Sequence, residues 1–176
     1  MRKTLLGYRR VLSEEFFRKR NEKLCEKILD VVRTNDSKTV HVFLSIARNR
    51  EPDVSPLFQE LRSLGCQIVA AKTNFGSKKQ QHFYMNEDTV LQQNKMNIPE
   101  PVGAEPADIK AVDLILVPLS AADKKGNRIG YGGGYYDRLL KSSNALKVGL
   151  CLSPVLDEIS QTEEWDVRLD QIITPF

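Results

Sequence analysis

The chain contains few of the residues from which zinc centres and disulfide scaffolds are built. Its 176 residues include three cysteines and two histidines, and no two cysteines form a CxxC pair. A tetrahedral Cys/His zinc site therefore has almost no ligands to draw on. Widely spaced cysteines in odd number are typical of free thiols in a reducing compartment. Any bound metal should be a hard cation held by oxygen ligands, and Mg²⁺ is the natural candidate. His41 lies in an apolar run and His82 precedes two aromatic residues, which favours structural roles for both.

Long apolar segments and a strong charge imbalance are absent as well. No apolar run reaches the ~18 residues that a membrane span needs, and charges interrupt the N-terminus before a signal-peptide core can form. The formal net charge of +3 is too mild to indicate nucleic-acid binding by itself. With 41% hydrophobic and 28% charged residues, the composition is typical of a soluble domain with a real core. We expect a cytoplasmic protein with one domain over residues 1–176.

Apolar periodicity and turn residues predict helices that alternate with short strands. Ser13 can cap a helix that continues to about residue 33. A second helix is expected at Val54–Leu64, where Gly65 stops it, and a third passes through Leu139 and Leu140. The expected strands are Thr39–Leu44, Gln67–Ala71, Asp113–Pro118, Lys147–Cys151 and Gln171–Thr174.

The segment from Asn74 to about Ala107 has no regular pattern, apart from one candidate strand near His82–Met85. Long segments of this kind are usually functional loops or insertions. The alternation elsewhere predicts a single three-layer α/β/α domain with a mainly parallel central sheet.

A glycine-rich stretch between a buried strand and a helix is the part most informative about function. Four of the five positions from Gly130 to Gly134 are glycine. Backbone without Cβ atoms can approach an anion closely, and successive N–H groups can cradle phosphate. The stretch is neither a GxxxxGK[ST] loop nor a GxGxxG fingerprint, and a turn without any ligand fits a bare glycine cluster equally well. Arg128 before it and Tyr135-Tyr136-Asp137 after it favour a phosphate site. Asp137 can hold a phosphate-bound Mg²⁺, or can simply occupy the first turn of a helix.

The segment Gly126–Asp137 resembles the signature of the 5-formyltetrahydrofolate cyclo-ligase family, also called 5,10-methenyltetrahydrofolate synthetases. That family carries a strand ending in Val-Pro, an Asp, and then G-x-R-[LI]-G-x-G-x-G-Y-Y-D, and every constrained position matches. The resemblance spans nearly the whole chain. It implies a fold resembling the NagB/RpiA/CoA-transferase-like fold. It also implies an ATP- and Mg²⁺-dependent ligase that closes 5-formyltetrahydrofolate to 5,10-methenyltetrahydrofolate and releases ADP and phosphate, through a phosphorylated formyl intermediate.

The resemblance also assigns roles to individual positions. The expected ATP-binding residues are Arg2, Lys3, Arg128, Ile129, Gly130, Tyr131, Gly132, Gly133, Gly134, Tyr135 and Tyr136. The expected substrate-binding residues are Leu44, Glu51, Met96, Tyr131, Gly132, Gly133, Gly134 and Tyr135. The expected metal ligands are Asp137 and Asp166.

Several of these positions lie in segments that depart from the family pattern. Trp165 replaces the usual His before Asp166 in the C-terminal H-D-x-x-x-D segment. At the N-terminus, Arg2 falls on the family Arg, so that the family Lys would precede residue 1. Either Lys3 substitutes for that Lys, or the start is shortened. Plainer interpretations exist for the residues outside the glycine motif, as a charge at the start of a helix (Glu51), a packing side chain (Met96), a loop residue (Asp166) or solvated terminal charges (Arg2, Lys3).

Two other function classes compete with the enzyme. The main alternative is a nucleotide- or phosphate-ligand-binding module without turnover. Nucleic-acid binding through Arg18, Lys19, Arg20 and the Lys78–Lys79 loop ranks lower, because Glu residues are interspersed and no binding motif is present. We expect small-molecule substrates, no nucleic-acid or membrane partner, and a monomer.

Overall fold

The computed structural model describes residue 7 and residues 9–74, 76–77, 79–130, 132–160 and 162–176. Arg2, Lys3 and Tyr131, which the sequence assigns to the ATP site, lie outside the described residues. The principal helices are α1 (Glu14–Thr34), α2 (Phe58–Ser63) and α3 (Tyr135–Lys141). The strands are β1 (Thr39–Val42), β2 (Gln67–Asn74), β3 (Lys79–Met85), β4 (Val90–Gln93), β5 (Pro99–Val102), β6 (Leu114–Pro118), β7 (Ala121–Ala122), β8 (Arg128–Ile129), β9 (Leu146–Leu150) and β10 (Gln171–Ile173). Within this described part of the chain, no helix combines the length and the apolar character that crossing a membrane requires.

The central sheet has six strands in the order β10-β9-β6-β1-β2-β3. Its first five strands are parallel, and β3 pairs antiparallel with β2 at one edge. Two small hairpins, β4–β5 and β7–β8, stand outside this sheet. The prediction of a mainly parallel central sheet in an α/β protein is therefore confirmed.

The sequence prediction was wrong in two places. The strand expected near His82–Met85 is confirmed as β3, which begins earlier, at Lys79. The rest of the segment taken as irregular contains the β4–β5 hairpin, because surface strands carry little of the apolar alternation that marks a strand. Pro99 and Pro101 also argued against predicting a strand at β5, although proline is tolerated on edge strands. The helix expected at Val54–Leu64 is shorter, since a 3₁₀ turn at Ser55–Leu57 precedes α2.

Helices cover both faces of the sheet. Leu114 and Leu116 of β6 belong to one apolar core with the buried residues of α1 and α2. The intervening Ile115 and Val117 belong to a second core with Leu139 and Leu140 of α3. A strand buried on both faces is what the continuous apolar run of β6 predicts. The cap at Ser13 is also confirmed, since its Oγ accepts the N–H of Phe16 at 3.3 Å.

The order of the strands creates a switch point between β1 and β6. From β1 the chain crosses to β2 on one side, whereas from β6 it crosses to β9 on the other. In open α/β sheets, ligands bind outside the carboxyl ends of the strands where the connections diverge in this way. The loop after β1, which carries Leu44 and Glu51, and the segment after β6 therefore begin side by side.

The side chains of the two histidines, which lie on strands of the central sheet, contact each other. His41 on β1 is 1% exposed, and its Nε2 lies 3.2 Å from Nδ1 of His82 on β3. Burial, followed by the proximity of His82, lowers the pKa of His41 to about 3, and burial lowers the pKa of His82 as well. Both rings are neutral near pH 7, which suits the structural role expected for them.

This pair makes stability depend on pH. Because the folded-state pKa of His41 is lowered, its stabilising contribution is complete above the unfolded value of roughly 6.5 and is lost as the pH falls toward about 3. We expect this group to reduce the free energy of unfolding by up to roughly 1.4 kcal/mol for each pH unit in that window. Urea denaturation at several pH values measures the slope of the free energy of unfolding against pH. His41→Val should flatten it, and an unchanged slope in that variant would contradict the assignment.

Candidate phosphate-binding cleft

A cleft of about 970 Å³ opens beside the carboxyl end of β6. Its volume lies within the range of small-molecule sites in proteins. The lining comes from the end of β6, from β8, from the glycine loop with the first turn of α3, and from a C-terminal segment that includes Trp165 and Asp166. A smaller cavity of about 490 Å³ between α1 and β10 contains none of the residues that the sequence assigns to a site.

The glycine loop adopts a backbone that requires glycine at two positions. Gly132 has φ of 88° and Gly134, which precedes α3, has φ of 64°. Both values lie in the left-handed region that side chains with a Cβ atom rarely enter. The glycines are therefore needed for the path of the chain, and they also leave the backbone of the loop open to the cleft.

Arg128 and Asp137 form an ion pair in the wall of this cleft. The Nη2 of Arg128 donates to Oδ1 of Asp137 at 2.5 Å, and the two side chains are only 7% and 21% exposed. Arg128 also donates through Nη1 to the carbonyl of Val167, and the N–H of Val167 donates to Asp137 Oδ1 at 3.2 Å. The pair thus ties β8, the first turn of α3 and the C-terminal segment together.

Asp166 lies on the same cleft, in an exposed turn. Its Oδ2 accepts the N–H of Glu163 at 2.9 Å, and its own N–H donates to the Glu163 carbonyl at 3.0 Å. The structure therefore brings both sequence-assigned carboxylates, Asp137 and Asp166, to the glycine loop.

These carboxylates fit Mg²⁺, which prefers oxygen ligands and usually keeps several water and phosphate oxygens around it. Among residues that the structure describes, no group of three or more His, Cys, Asp or Glu is arranged to hold a metal. An ion held here would accordingly be shared between a few carboxylate oxygens and the phosphates of a ligand.

Of the residues assigned to the folate, Gly132, Gly133, Gly134 and Tyr135 line this cleft, whereas Leu44, Glu51 and Met96 do not. Leu44 is half-buried just after β1, and Glu51 is buried with its Oε2 accepting the N–H of Ile46 at 2.6 Å. Met96 is exposed at the tip of the β4–β5 hairpin. That hairpin is joined to the carboxyl half of β2, since Glu100 Oε1 accepts the N–H of Thr73 at 2.8 Å. Leu44 and Glu51 thus follow the carboxyl end of β1, and the hairpin that carries Met96 contacts the carboxyl half of β2.

Asp123 is a supporting residue to which the sequence assigned no role. It is fully buried, and its carboxylate accepts four hydrogen bonds, from the side-chain amide and N–H of Asn127 and from the N–H groups of Lys125 and Ile159. Burial raises the pKa of Asp123, but these hydrogen bonds outweigh it and hold the pKa below its usual value. The residue fixes the β7–β8 turn to the segment that carries Ile159, and both border the cleft. The turn-forming residues Asp123, Gly126 and Asn127 are the sequence signal from which this role of Asp123 could have been predicted.

Arg9 is a second supporting residue missing from the sequence assignment. Its side chain is fully buried, and Nη1 donates to the carbonyl of Leu119 at 3.3 Å, just after β6. The next residue, Ser120, donates its N–H to the carbonyl of Ile129, which leads into the glycine loop. Arg9 is thereby anchored at the base of the cleft. An arginine in a charged N-terminal run gives no sequence signal of such burial.

Comparison with known proteins agrees with this architecture. The family model of the 5-formyltetrahydrofolate cyclo-ligases matches residues 1–175. The 5-formyltetrahydrofolate cyclo-ligase of Escherichia coli K12 is 28% identical over 173 residues, which cover 95% of this chain and 94% of that protein. The NMR structure of Aquifex aeolicus 5,10-methenyltetrahydrofolate synthetase superimposes with a TM-score of 0.85 at 32% identity, covering 99% of this chain and 87% of that one. The Mycoplasma pneumoniae synthetase, at 22% identity and a TM-score of 0.74, covers 99% of this chain and 96% of that one and shares the fold.

The fold and the cleft define an α/β protein whose candidate site lies at the carboxyl ends of parallel strands, the place where such sheets bind phosphate-bearing ligands. The chain belongs to the 5-formyltetrahydrofolate cyclo-ligase family.

Proposed function

We propose that this protein is a ligase that uses ATP and Mg²⁺ to cyclise 5-formyltetrahydrofolate to 5,10-methenyltetrahydrofolate, with release of ADP and phosphate. One observation carries the proposal beyond family membership. The glycine loop, Arg128, Asp137 and Asp166 line a single cleft large enough for a nucleotide. These are the groups that hold phosphate and its metal, gathered on a chain whose relatives are named for this reaction.

The chemistry explains why ATP is needed. The formyl oxygen of an amide-like group is a poor leaving group, and phosphorylation corrects this. The formyl oxygen attacks the γ-phosphorus of ATP and ADP departs. N10 of the folate then attacks the formyl carbon and gives up its proton, and the bond from that carbon to the phosphorylated oxygen breaks, so that phosphate leaves with the proton. Such a transfer depends on positioning and on neutralising charge rather than on a protein nucleophile. The buried His41, paired with the half-buried His82, is consistent with that requirement.

The residues of the cleft take separate roles in this scheme. The backbone of the glycine loop, extending through Ile129, Tyr135 and Tyr136, holds the phosphates, and Arg128 supplies positive charge beside them. Asp137 and Asp166 would hold Mg²⁺, which when bound neutralises phosphate charge. Arg2, Lys3 and Tyr131 are assigned to the same nucleotide by the family resemblance alone.

The folate is assigned to the neighbouring side of the switch point. Leu44 lines its pteridine pocket, Glu51 accepts from its ring NH groups, and Met96 covers it from the β4–β5 hairpin. The carboxyl ends of β1 and β6 are adjacent, so a folate held after β1 lies next to a triphosphate held after β6. Adjacency of this kind is what transfer between the two substrates requires.

We infer further that the layered sheet is of the NagB/RpiA/CoA-transferase-like type and that residues 1–176 act as one domain. Small-molecule substrates, a cytoplasmic location and a monomeric state complete the proposal.

Absorbance provides the test of this function. 5,10-Methenyltetrahydrofolate absorbs in the near ultraviolet, and 5-formyltetrahydrofolate does not. Purified protein with both substrates and Mg²⁺ should produce a rise in absorbance that requires ATP and is matched by ADP formed. A module that only binds nucleotide would bind ATP in calorimetry without any rise. That outcome would overturn the enzymatic proposal.

A further inference from the structure

Trp165 is the one tryptophan of the chain, and its ring is left largely in solvent. It is 60% exposed, yet it lines the same cleft as the glycine loop. An exposed indole in a concave site is a large flat apolar surface available to a ligand. The other strongly exposed apolar side chains, such as Val90 and Phe176, are not part of this lining.

The backbone that carries the ring is well fixed. Trp165 lies inside the turn closed by Glu163 and Asp166, whose two hydrogen bonds measure 2.9 and 3.0 Å. Two residues later, Val167 is bound through its carbonyl to Arg128 and through its N–H to Asp137. The backbone of Trp165 is therefore held at a defined place relative to the residues proposed to bind phosphate.

The surroundings of the ring suit a planar nitrogen heterocycle. The same C-terminal segment contributes Ile159, Thr162 and Glu163 to the cleft, which add an apolar side chain, a hydroxyl and a carboxylate. The hydroxyl and the carboxylate can accept hydrogen bonds from an exocyclic amino group. Leu44 and Glu51, which are assigned to the pteridine, lie outside this cleft, and the folate-assigned residues that do line it belong to the glycine loop and not to the C-terminal segment. The base of the nucleotide is therefore the heterocycle that we place on Trp165.

We propose that Trp165 stacks on the purine base of the bound nucleoside triphosphate and so contributes to selection of the nucleotide. This inference rests on the proposed function, because it takes ATP to be the ligand of the glycine loop. Any base can stack on an aromatic side chain, but stacking favours a large ring system. Loss of the stacking contact weakens binding by roughly tenfold or more.

Intrinsic fluorescence gives a direct readout, since all tryptophan emission comes from Trp165. Titration with ATP and Mg²⁺ in the absence of folate should quench this emission with the Kd found by calorimetry. CTP should quench less, and inorganic tripolyphosphate should bind the loop with little quenching. Equal quenching by tripolyphosphate, or calorimetric binding of ATP with unchanged emission, would overturn the stacking contact and leave the proposed function intact. Absence of ATP binding in calorimetry would overturn both.

Variants distinguish the proposed stacking contact of Trp165 from a general effect of removing an exposed aromatic side chain. Trp165→Ala should raise KM for ATP by about tenfold or more and leave KM for 5-formyltetrahydrofolate unchanged, while Trp165→Phe should recover much of the loss. Phe176→Ala is the matched control, because Phe176 is an aromatic side chain with the same 60% exposure outside the cleft. A rise in KM for the folate instead of ATP would contradict the proposal and identify the pterin as the partner of the ring.

Discussion

Replacing Arg128 with alanine is expected to lower kcat/KM for ATP by roughly 10³-fold, the scale found for arginines that neutralise a transferring phosphoryl group. Among the described residues that line the cleft, Arg128 is the only cation. The substitution also leaves Asp137 without its partner in a site that is only 21% exposed. We expect a loss of about 1–3 kcal/mol in the free energy of unfolding. Steady-state kinetics and urea denaturation measure the two effects.

Two further variants distinguish the role of Arg128 in catalysis from its role in folding. Arg128→Lys keeps the charge but cannot span both Asp137 and the Val167 carbonyl with a planar fork. It should therefore regain more activity, which depends on the charge, than stability, which depends on the two hydrogen bonds. Lys125→Ala is the control, since Lys125 lies on the turn of the same hairpin and pairs with Glu158 at the surface at 2.6 Å. A folded Arg128→Ala protein with undiminished activity would refute the phosphate role.

Asp137→Asn is expected to shift the midpoint of the Mg²⁺ titration upward by about tenfold or more, and to reduce kcat at saturating metal. An amide oxygen is a weaker ligand for Mg²⁺ than a carboxylate, because it carries no net charge. The fold should survive, since an asparagine oxygen can still accept the N–H of Val167 and a bond from Arg128. Activity measured across a range of Mg²⁺ concentrations tests this expectation.

Asp157→Asn provides the comparison for that experiment. Asp157 is an exposed carboxylate that pairs with Lys124 at 2.7 Å on the outer side of the β7–β8 turn. Its loss should leave the metal titration unchanged. If Asp137→Asn titrates like the parent protein, Asp137 is only the structural partner of Arg128.

Local signals in the sequence predicted the framework because they act over short distances. The Ser13 cap, the apolar face of α1 and the double-sided burial of β6 each depend on residues close in the chain. The glycine loop could be predicted equally well, because the left-handed φ values at Gly132 and Gly134 require glycine. The family signature then connected this loop with carboxylates near the C-terminus.

Contacts between distant segments could not be predicted in the same way. Burial of Arg9 depends on the Leu119 carbonyl, and burial of Asp123 depends in part on Ile159, so neither is visible in its local sequence. The strands β3 to β5 lie at an edge or on the surface, where burial imposes no clear alternation. The proposed nucleotide side and the proposed folate side of the site are brought together by the order of the strands in the sheet. Sequence motifs do not specify that order.

The proposed function depends most on the backbone amides between Gly130 and Gly134 as the ligands of the triphosphate. Protein labelled with ¹⁵N at its ten glycines can be titrated with Mg²⁺ and a non-hydrolysable ATP analogue and followed by NMR. The resonances of Gly130, Gly132, Gly133 and Gly134 should shift together with one Kd, while Gly65 and Gly103, in turns outside the cleft, stay in place. Binding of the analogue that leaves those four amides unmoved would contradict the central claim.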